Sequence, residues 1–294
     1  MTPADPVLLR RRLLDWYAAN ARDLPWRRPG VSAYAVLVSE VMLQQTPVAR
    51  VLPVYASWLE RWPKIADLAA APSGDAVRAW GRLGYPRRAL RLHAAARAVV
   101  DRHGGEVPAD VAALRALQGV GEYTAAAVAS FAYGQRHLVL DTNVRRVFAR
   151  VLGGEAGPPP SLRAHERAAA TALLPTEPAV AAAWGVAVME HGALVCTASA
   201  PRCPTCPVAD LCRWRRSGAP PYEGPPRRTQ RWHGTDRQCR GRLLTVLRDT
   251  AGSVPRSALE AAWPDPVQRD RALDGLVADG LVERLTGDLF ALPH

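Results

Sequence analysis

An all-α protein closed by a small C-terminal module is the fold class that the sequence predicts, and three observations predict it. Apolar residues recur at three- and four-residue spacings through most of the 294 residues, with very few alternating stretches before the last quarter. Helix starts are marked by Asp or Thr next to proline, and helix stops by glycine. Four of the five cysteines crowd into one stretch between residues 196 and 212, which marks a metal or cluster site.

In chain order, a first clear helix runs through Val36, Leu37, Glu40 and Val41 and should end at Gln44 or Gln45, because Thr46 and Pro47 read as the N-cap and first residue of the next. Between residues 113 and 133, ALRALQGVGEYTAAAVASFA reads as a helix, a turn through Gly119, Val120 and Gly121, and an Ala-rich helix. That is a helix-hairpin-helix. Glycines beside a helix start let backbone N–H groups approach an anion, and the helix dipole favours a phosphate there, so Gly119 and Gly121 are candidate DNA-phosphate residues. In HLVLDTNVRRVFARVLGG, Asp141 sits where an N-cap belongs and Gly153 where a helix stops.

From about 217 to 237 the chain is rich in Pro, Gly and Arg and reads as a linker. Beyond it, CRGRLLTVLRDT, RSALEAAW and DPVQRDRALDGLVADG predict three helices, the last opened by Asp265 with Pro266 and closed by Gly280. LVERL and DLFAL flank a Thr286-Gly287 turn and predict a hairpin. Three helices and a hairpin make a winged-helix-like module, whose third helix is either a candidate for a DNA groove or, being little enriched in basic residues, part of a packing domain.

The composition narrows the function. At 31.8 kDa and 48% hydrophobic, the chain can bury a large core in two or three domains. No apolar h-region follows MTPADPVLLRRR and no apolar run reaches membrane-spanning length, so no membrane partner and a cytoplasmic location are expected, a compartment in which thiolates stay reduced. The net charge of +11 and a pI near 10.2 point to an anionic partner, nucleic acid foremost. Lys64 is the only lysine, which removes most candidates for amine chemistry.

Cys196, Cys203, Cys206 and Cys212 are separated by six, two and five residues. One close pair flanked by outlying single cysteines suits the corners of an iron-sulfur cube better than the two close pairs usual for zinc, and structural zinc is the alternative. Cys239 has no nearby partner and reads as a small apolar side chain. Glu40 lies on an apolar helical face, where burial would raise its pKa and keep a proton available for a leaving group. Asp141, held low in pKa by a helix N-terminus, would be the matching anion. One acid and one anion are what cleavage of a glycosidic bond through an oxocarbenium-like state requires.

LPWR, SEVMLQQTPV, GRLGY, LQGVGEYTAAAV, LDTNVRRV and MEHGALVC leading into the four cysteines run in order from about residue 10 to residue 213. Together they resemble the MutY-type adenine DNA glycosylases of the helix-hairpin-helix superfamily, in particular actinobacterial-like short forms. The resemblance implies two helical domains with the active cleft between them: a cluster domain of residues 1–29 and 136–216 carrying a [4Fe-4S] loop, and a six-helix-type domain of residues 30–135. The linker of residues 217–237 and the winged-helix-like module of residues 238–294 follow. It implies a monomer acting on double-stranded DNA at adenine mispaired with 8-oxoguanine or guanine, a base reached by flipping it out of the stack.

Carried over by position, Glu40 would protonate adenine at N7, Asp141 would stabilise the sugar cation, and Tyr123 and Asn143 would support them. Arg22, Leu24, Trp26, Arg27 and Glu190 match adenine-pocket positions, while Gln45 and Tyr85 match residues that wedge into the stack beside the oxidised guanine. Where endonuclease III-like relatives carry a Schiff-base lysine, this chain has Tyr123, so strand cleavage is not expected. Thr142 and Pro86 depart from the glycine and aromatic residue common in the family, and the C-terminus is too short for the Nudix-like domain that reads 8-oxoguanine in many members. The cluster is expected to shape a loop that offers Arg202 and Arg213 to phosphates. The competing readings are a thymine or uracil mismatch glycosylase of the same superfamily and a non-catalytic iron-sulfur DNA-binding regulator.

Overall fold

The computed structural model describes residues 5–225 and 232–294, and the fold they form is helical throughout with one small sheet near the C-terminus. The helices are α1 (Pro6–Asn20), α2 (Ala33–Leu43), α3 (Val48–Arg61), α4 (Ile65–Ala70), α5 (Ser73–Trp80), α6 (Arg87–His103), α7 (Val111–Arg115), α8 (Glu122–Tyr133) and α9 (Thr142–Phe148). They continue with α10 (Ala164–Leu173), α11 (Pro178–Leu194), α12 (Arg213–Arg216), α13 (Asp236–Asp249), α14 (Arg256–Ala262) and α15 (Pro266–Ala278). Strands β1 (Val254–Pro255), β2 (Glu283–Leu285) and β3 (Leu289–Ala291) form an antiparallel sheet in the order β1-β3-β2. None of the described helices is long and apolar enough to cross a membrane.

Local signals account for most helix starts. Asp5 caps α1 by accepting from the Val7 and Leu8 N–H groups with Pro6 in the first turn, and Asp265 caps α15 in the same way ahead of Pro266. The start of α3 differs from the expectation by one residue, for a tertiary reason. Pro47, in extended conformation, is the cap and Val48 the first helical residue. The Thr46 hydroxyl is engaged elsewhere, donating toward the Gln44 and Leu83 carbonyls and accepting from Arg88. Past α9 the chain winds through a π-helical turn, Ala149–Gly153, and stops at left-handed Gly154, one residue beyond the expected stop. The C-terminal hairpin forms where the alternation placed it; strand β1 went unread because two residues carry no period.

The chain folds into two compact units, Met1–Val36 with Ala109–Arg115 and Gly121–Pro226, and Leu37–Pro108 with Ala116–Val120 and Arg227–His294. These bounds differ from the divisions read in the sequence. The first unit buries Leu9 and Leu13 of α1, Val144, Val147 and Phe148 of α9, Trp184 and Val188 of α11, and Trp214 of α12 around one core, with Phe148 stacked on Trp184 at 6.3 Å. In the second, Trp58 of α3 packs edge-on against Trp62 and Trp80, with centroids 4.7 and 5.8 Å away.

The C-terminal segment is built into this second unit. Arg78 of α5 donates to the carbonyls of Leu247, Arg248 and Thr250 at the end of α13, and Arg248 returns a bond to the Val77 carbonyl. The Gly74 N–H donates to the Pro293 carbonyl, which would lie 2.3 Å from a Cβ at that position. Within the module, Arg269 of α15 pairs with Glu260 and Arg271 with Asp236, so the arginines of the third helix are engaged by carboxylates of the module itself.

Candidate active site

The first unit builds its site on the start of α9. Asp141 caps that helix as expected: Oδ1 accepts from the Val144 N–H at 2.6 Å, and Oδ2 from Asn143 Nδ2 at 2.7 Å. Arg146, one turn on and buried, donates to Asn143 Oδ1, to the Gly192 carbonyl and to the Cys196 carbonyl at 2.8, 2.6 and 2.7 Å. An unbroken chain of donors thus joins the acid to the head of the cysteine stretch. The close approach of α11 to α9 depends on Gly192, where a Cβ would lie 2.8 Å from Asn143 Cβ and 3.0 Å from its carbonyl oxygen. Nothing in the local sequence marks Arg146 or Gly192, because both act across about fifty residues of chain.

The expected pKa of Asp141 is corrected by its surroundings. Burial raises it, and the opposing bonds from Val144 and Asn143 and the charge of Arg146 do not outweigh that cost. The helix N-terminus fixes the side chain without making it a stronger acid than usual.

Beside this lies a three-member ion cluster. Glu190 of α11, 0% exposed, accepts from Arg22 Nε at 2.6 Å and Nη2 at 2.7 Å, a two-pronged pairing, and from the Arg22 backbone N–H at 3.2 Å. Arg27 Nη1 stands 2.9 Å from its second oxygen. Burial alone would raise the Glu190 pKa, but the arginine bonds and charges prevail and hold it below the ordinary value. Leu24 and Trp26 are buried around the 3-10 turn Pro25–Arg27. The structure therefore brings Arg22, Arg27 and Glu190 into direct contact. Tyr123, in the first turn of α8, packs against the cluster of Ala126, Ala127 and Val139.

Helices α7 and α8 pack together as the arms of the hairpin. Gly119 takes φ +82, a left-handed conformation, and a Cβ there would meet Arg91 Cβ at 2.9 Å; glycine is required on both counts. Gly121 is the N-cap of α8 in ordinary extended backbone with open space around it, so neither strain nor packing demands glycine there.

In the second unit Glu40 is 6% exposed on α2, between Leu37 and Val41, which are also buried. Two of the few non-glycine residues with positive φ are Gln45 at +55 and Tyr85 at +48, the two positions matched to the DNA wedge. Backbone strain of this kind persists only where surroundings hold it, and it gathers at functional sites. One buried arginine holds both. Arg88 of α6 donates to the carbonyls of Val41, Met42, Gln44 and Gly84 and to Thr46 Oγ1, at 2.6 to 3.0 Å. Burial pushes its pKa down to about 10. Sequence reasoning missed Arg88, since in GRLGYPRRAL it is one arginine among several.

The four cysteines return to the first unit, unpaired with one another, and line one pocket together with Arg150, His191 and Trp214. Arg150 Nη1 lies 3.3 Å from Cys196 Sγ, and His191 Nε2 lies 3.3 Å from Cys206 Sγ. Burial, and then the neighbouring Cys196, Cys212 and Cys203, push the Cys206 thiol up to about 12. Four cysteine sulfurs lining one pocket are a donor set that a cationic metal centre would satisfy. Among the described residues no group of three or more His, Cys, Asp or Glu draws close enough to hold a single ion. Cys239 is fully buried in the C-terminal core, as expected for a small apolar side chain.

Comparison with known proteins adds to this geometry. Residues 38–171 match the model of the HhH-GPD superfamily base excision DNA repair proteins. The chain is 55% identical over 284 residues to an adenine DNA glycosylase of Mycobacterium tuberculosis, covering 96% of this chain and 92% of the relative. Among solved structures, a thermostable thymine-DNA glycosylase superposes with TM-score 0.63 at 25% identity over 72% of this chain and 97% of its own. A non-covalent endonuclease III–DNA complex shares the fold with TM-score 0.61, at 24% identity over 73% of this chain and 98% of its own.

Proposed function

Since the chain belongs to the HhH-GPD superfamily of base excision DNA repair proteins and to its adenine DNA glycosylases, we propose that it hydrolyses the N-glycosidic bond of adenine paired with 8-oxoguanine or guanine in duplex DNA. The observation that carries this reading is the likeness to an adenine DNA glycosylase along 96% of the chain. It is an enzyme, and the residues described above supply the chemistry. Glu40, enclosed on an apolar helix face, gives its proton to adenine N7, and the bonding pair leaves C1′ with the base. Asp141, held by the Val144 and Asn143 donors, faces the sugar cation with its negative charge. Water adds to C1′ and surrenders its proton to the Glu40 carboxylate. Tyr123 offers no amine at the hairpin, so the product is an abasic site in an uncleaved strand.

Arg22, Leu24, Trp26, Arg27 and Glu190 shape the adenine pocket, and Gln45 and Tyr85 enter the stack beside the opposite base. Gly119 and Gly121 lie at the phosphate-binding hairpin. Cys196, Cys203, Cys206 and Cys212 would hold a [4Fe-4S] cluster through their thiolates, and the iron–sulfur bonds would cross-link the loop bearing Arg202 and Arg213. The protein acts as a monomer.

Single-turnover release of adenine from 8-oxoguanine:adenine and guanine:adenine duplexes tests this reading, with a thymine:guanine duplex alongside. Adenine release from the first two, abolished by Glu40→Gln, is expected. Thymine release without adenine release would favour the pyrimidine reading and sink this one.

A further inference from the structure

The C-terminal segment places two side chains in line with Tyr85. Five residues alternate between ring and guanidinium: Trp80, Arg88, Tyr85, Arg237 and Trp232. The Arg88 guanidinium lies 5.1 Å from the Trp80 ring centroid and 5.7 Å from that of Tyr85. The Arg237 guanidinium lies 5.2 Å from Tyr85 and 5.5 Å from Trp232. A cation over an aromatic face is attracted by the ring quadrupole, and the planar guanidinium stacks where an ammonium cannot. The ladder begins at fully buried Trp80 and ends in solvent, with Tyr85 and Trp232 each 48% exposed.

Plain packing does not explain that outer half. Tyr85 keeps a large ring half in water on a left-handed backbone, an arrangement with two costs and only half of the residue buried to offset them. Exposed aromatics interleaved with arginine are the surface that nucleic-acid bases and phosphates engage, the ring by stacking and the cation by charge. The third helix of the module does not offer such a surface, because Arg269 and Arg271 are paired with Glu260 and Asp236. What the module does present beside Tyr85 is the first turn of α13, which carries Arg237, and the residue Trp232 ahead of it.

We propose that the C-terminal segment is a working part of the DNA-reading surface: Arg237 and Trp232 are positioning residues that hold Tyr85 for insertion beside the base opposite the excised adenine. The inference rests on the glycosylase reading above, and it gives the segment after the linker a task. Arg88 braces the loop from below, and Arg237 covers the outer face of the ring.

The test uses the full chain and an 8-oxoguanine:adenine duplex with 2-aminopurine next to the oxidised base, whose fluorescence rises when the stack is opened. Arg237→Ala should weaken binding to this duplex by about 5- to 30-fold and remove most of the fluorescence rise. Trp232→Ala should act in the same direction with a smaller effect. Arg237→Lys keeps the charge and loses the plane, so it should fail to restore the rise. It also carries the test should Arg237→Ala not fold. The ratio of adenine release from 8-oxoguanine over guanine duplexes should fall with the rise. Wild-type fluorescence and an unchanged ratio in folded Arg237→Lys and Trp232→Ala would overturn the proposal and leave the ladder as packing alone. A wild-type protein that releases adenine from neither duplex would instead overturn the glycosylase reading, and the two failures are thereby told apart.

Discussion

The region around Asp141 and the region around Tyr85 both depend on a buried arginine that donates to backbone carbonyls, yet they use it for opposite ends. Arg146 closes a network in which each polar group meets another, and Asp141 is left with one orientation. Arg88 binds four carbonyls and a hydroxyl to hold Gln45 and Tyr85 in conformations that neither residue favours, with the Tyr85 ring left in water. Chemistry at a sugar carbon needs a charge held still. Entry into a base stack, the role proposed for Tyr85, needs a ring held in place while part of it still reaches solvent. A guanidinium with several donors in a rigid plane can do either, depending on which carbonyls surround it.

The comparison can be broken most forcefully at the acids. Asp141→Asn and Glu40→Gln should each lower single-turnover adenine release by roughly 10²- to 10⁴-fold while leaving binding to the mispair intact. A matching loss of binding would mean that these residues serve structure. Because burial raises the Asp141 pKa, the release rate should fall on the acid side through a value above that of an ordinary aspartate, and a pH profile of that step checks it.

Next in size is the ion cluster. Glu190→Gln should destabilise the fold by about 3 kcal/mol in urea denaturation, the low end for a broken buried pair because Arg22 remains 34% exposed. The depressed pKa of Glu190 means its contribution is fully present above the unfolded carboxyl value and is lost as pH falls through the folded one. The gap between wild type and Glu190→Gln should therefore close below about pH 4.

At the reading region, Arg88→Lys should cost about 2 kcal/mol of stability, since an ammonium cannot reach all five acceptors, and should weaken mispair binding more than adenine release at saturation. Equal loss in both would erase the distinction between the two regions. The smallest effect belongs to Gly192→Ala. Displacing Asn143 costs more than the helical preference of alanine returns, a net of about 1 kcal/mol. Since Asn143 also donates to Asp141, the release rate should drop further than stability does.

Legibility in the sequence followed the range of the interaction. The caps at Asp141 and Asp265, the hairpin glycines and the cysteine spacing were readable because each is a matter of neighbouring residues. Thr46 misled by one residue because its hydroxyl is claimed by Leu83 and Arg88, about forty positions away. The Asp141 pKa misled because a cap is local and burial is not. The composition of residues 217–237 marked a linker but said nothing of what the following module packs on, which is settled by Arg78, Gly74 and their partners at the ends of α13 and the chain.

Residue type and short spacing were enough for the helical class, the absence of an amine at the hairpin and the four thiols, whereas Glu40 and Asp141 were singled out by the family resemblance of the motifs around them. Only the tertiary structure decided which arginines matter. Arginine is the usual basic residue of this chain, and nothing in composition separates Arg88, Arg146 and Arg237 from the others. What separates them is the set of carbonyls and rings that folding brings around each guanidinium, a property of distances between remote segments that no local pattern encodes.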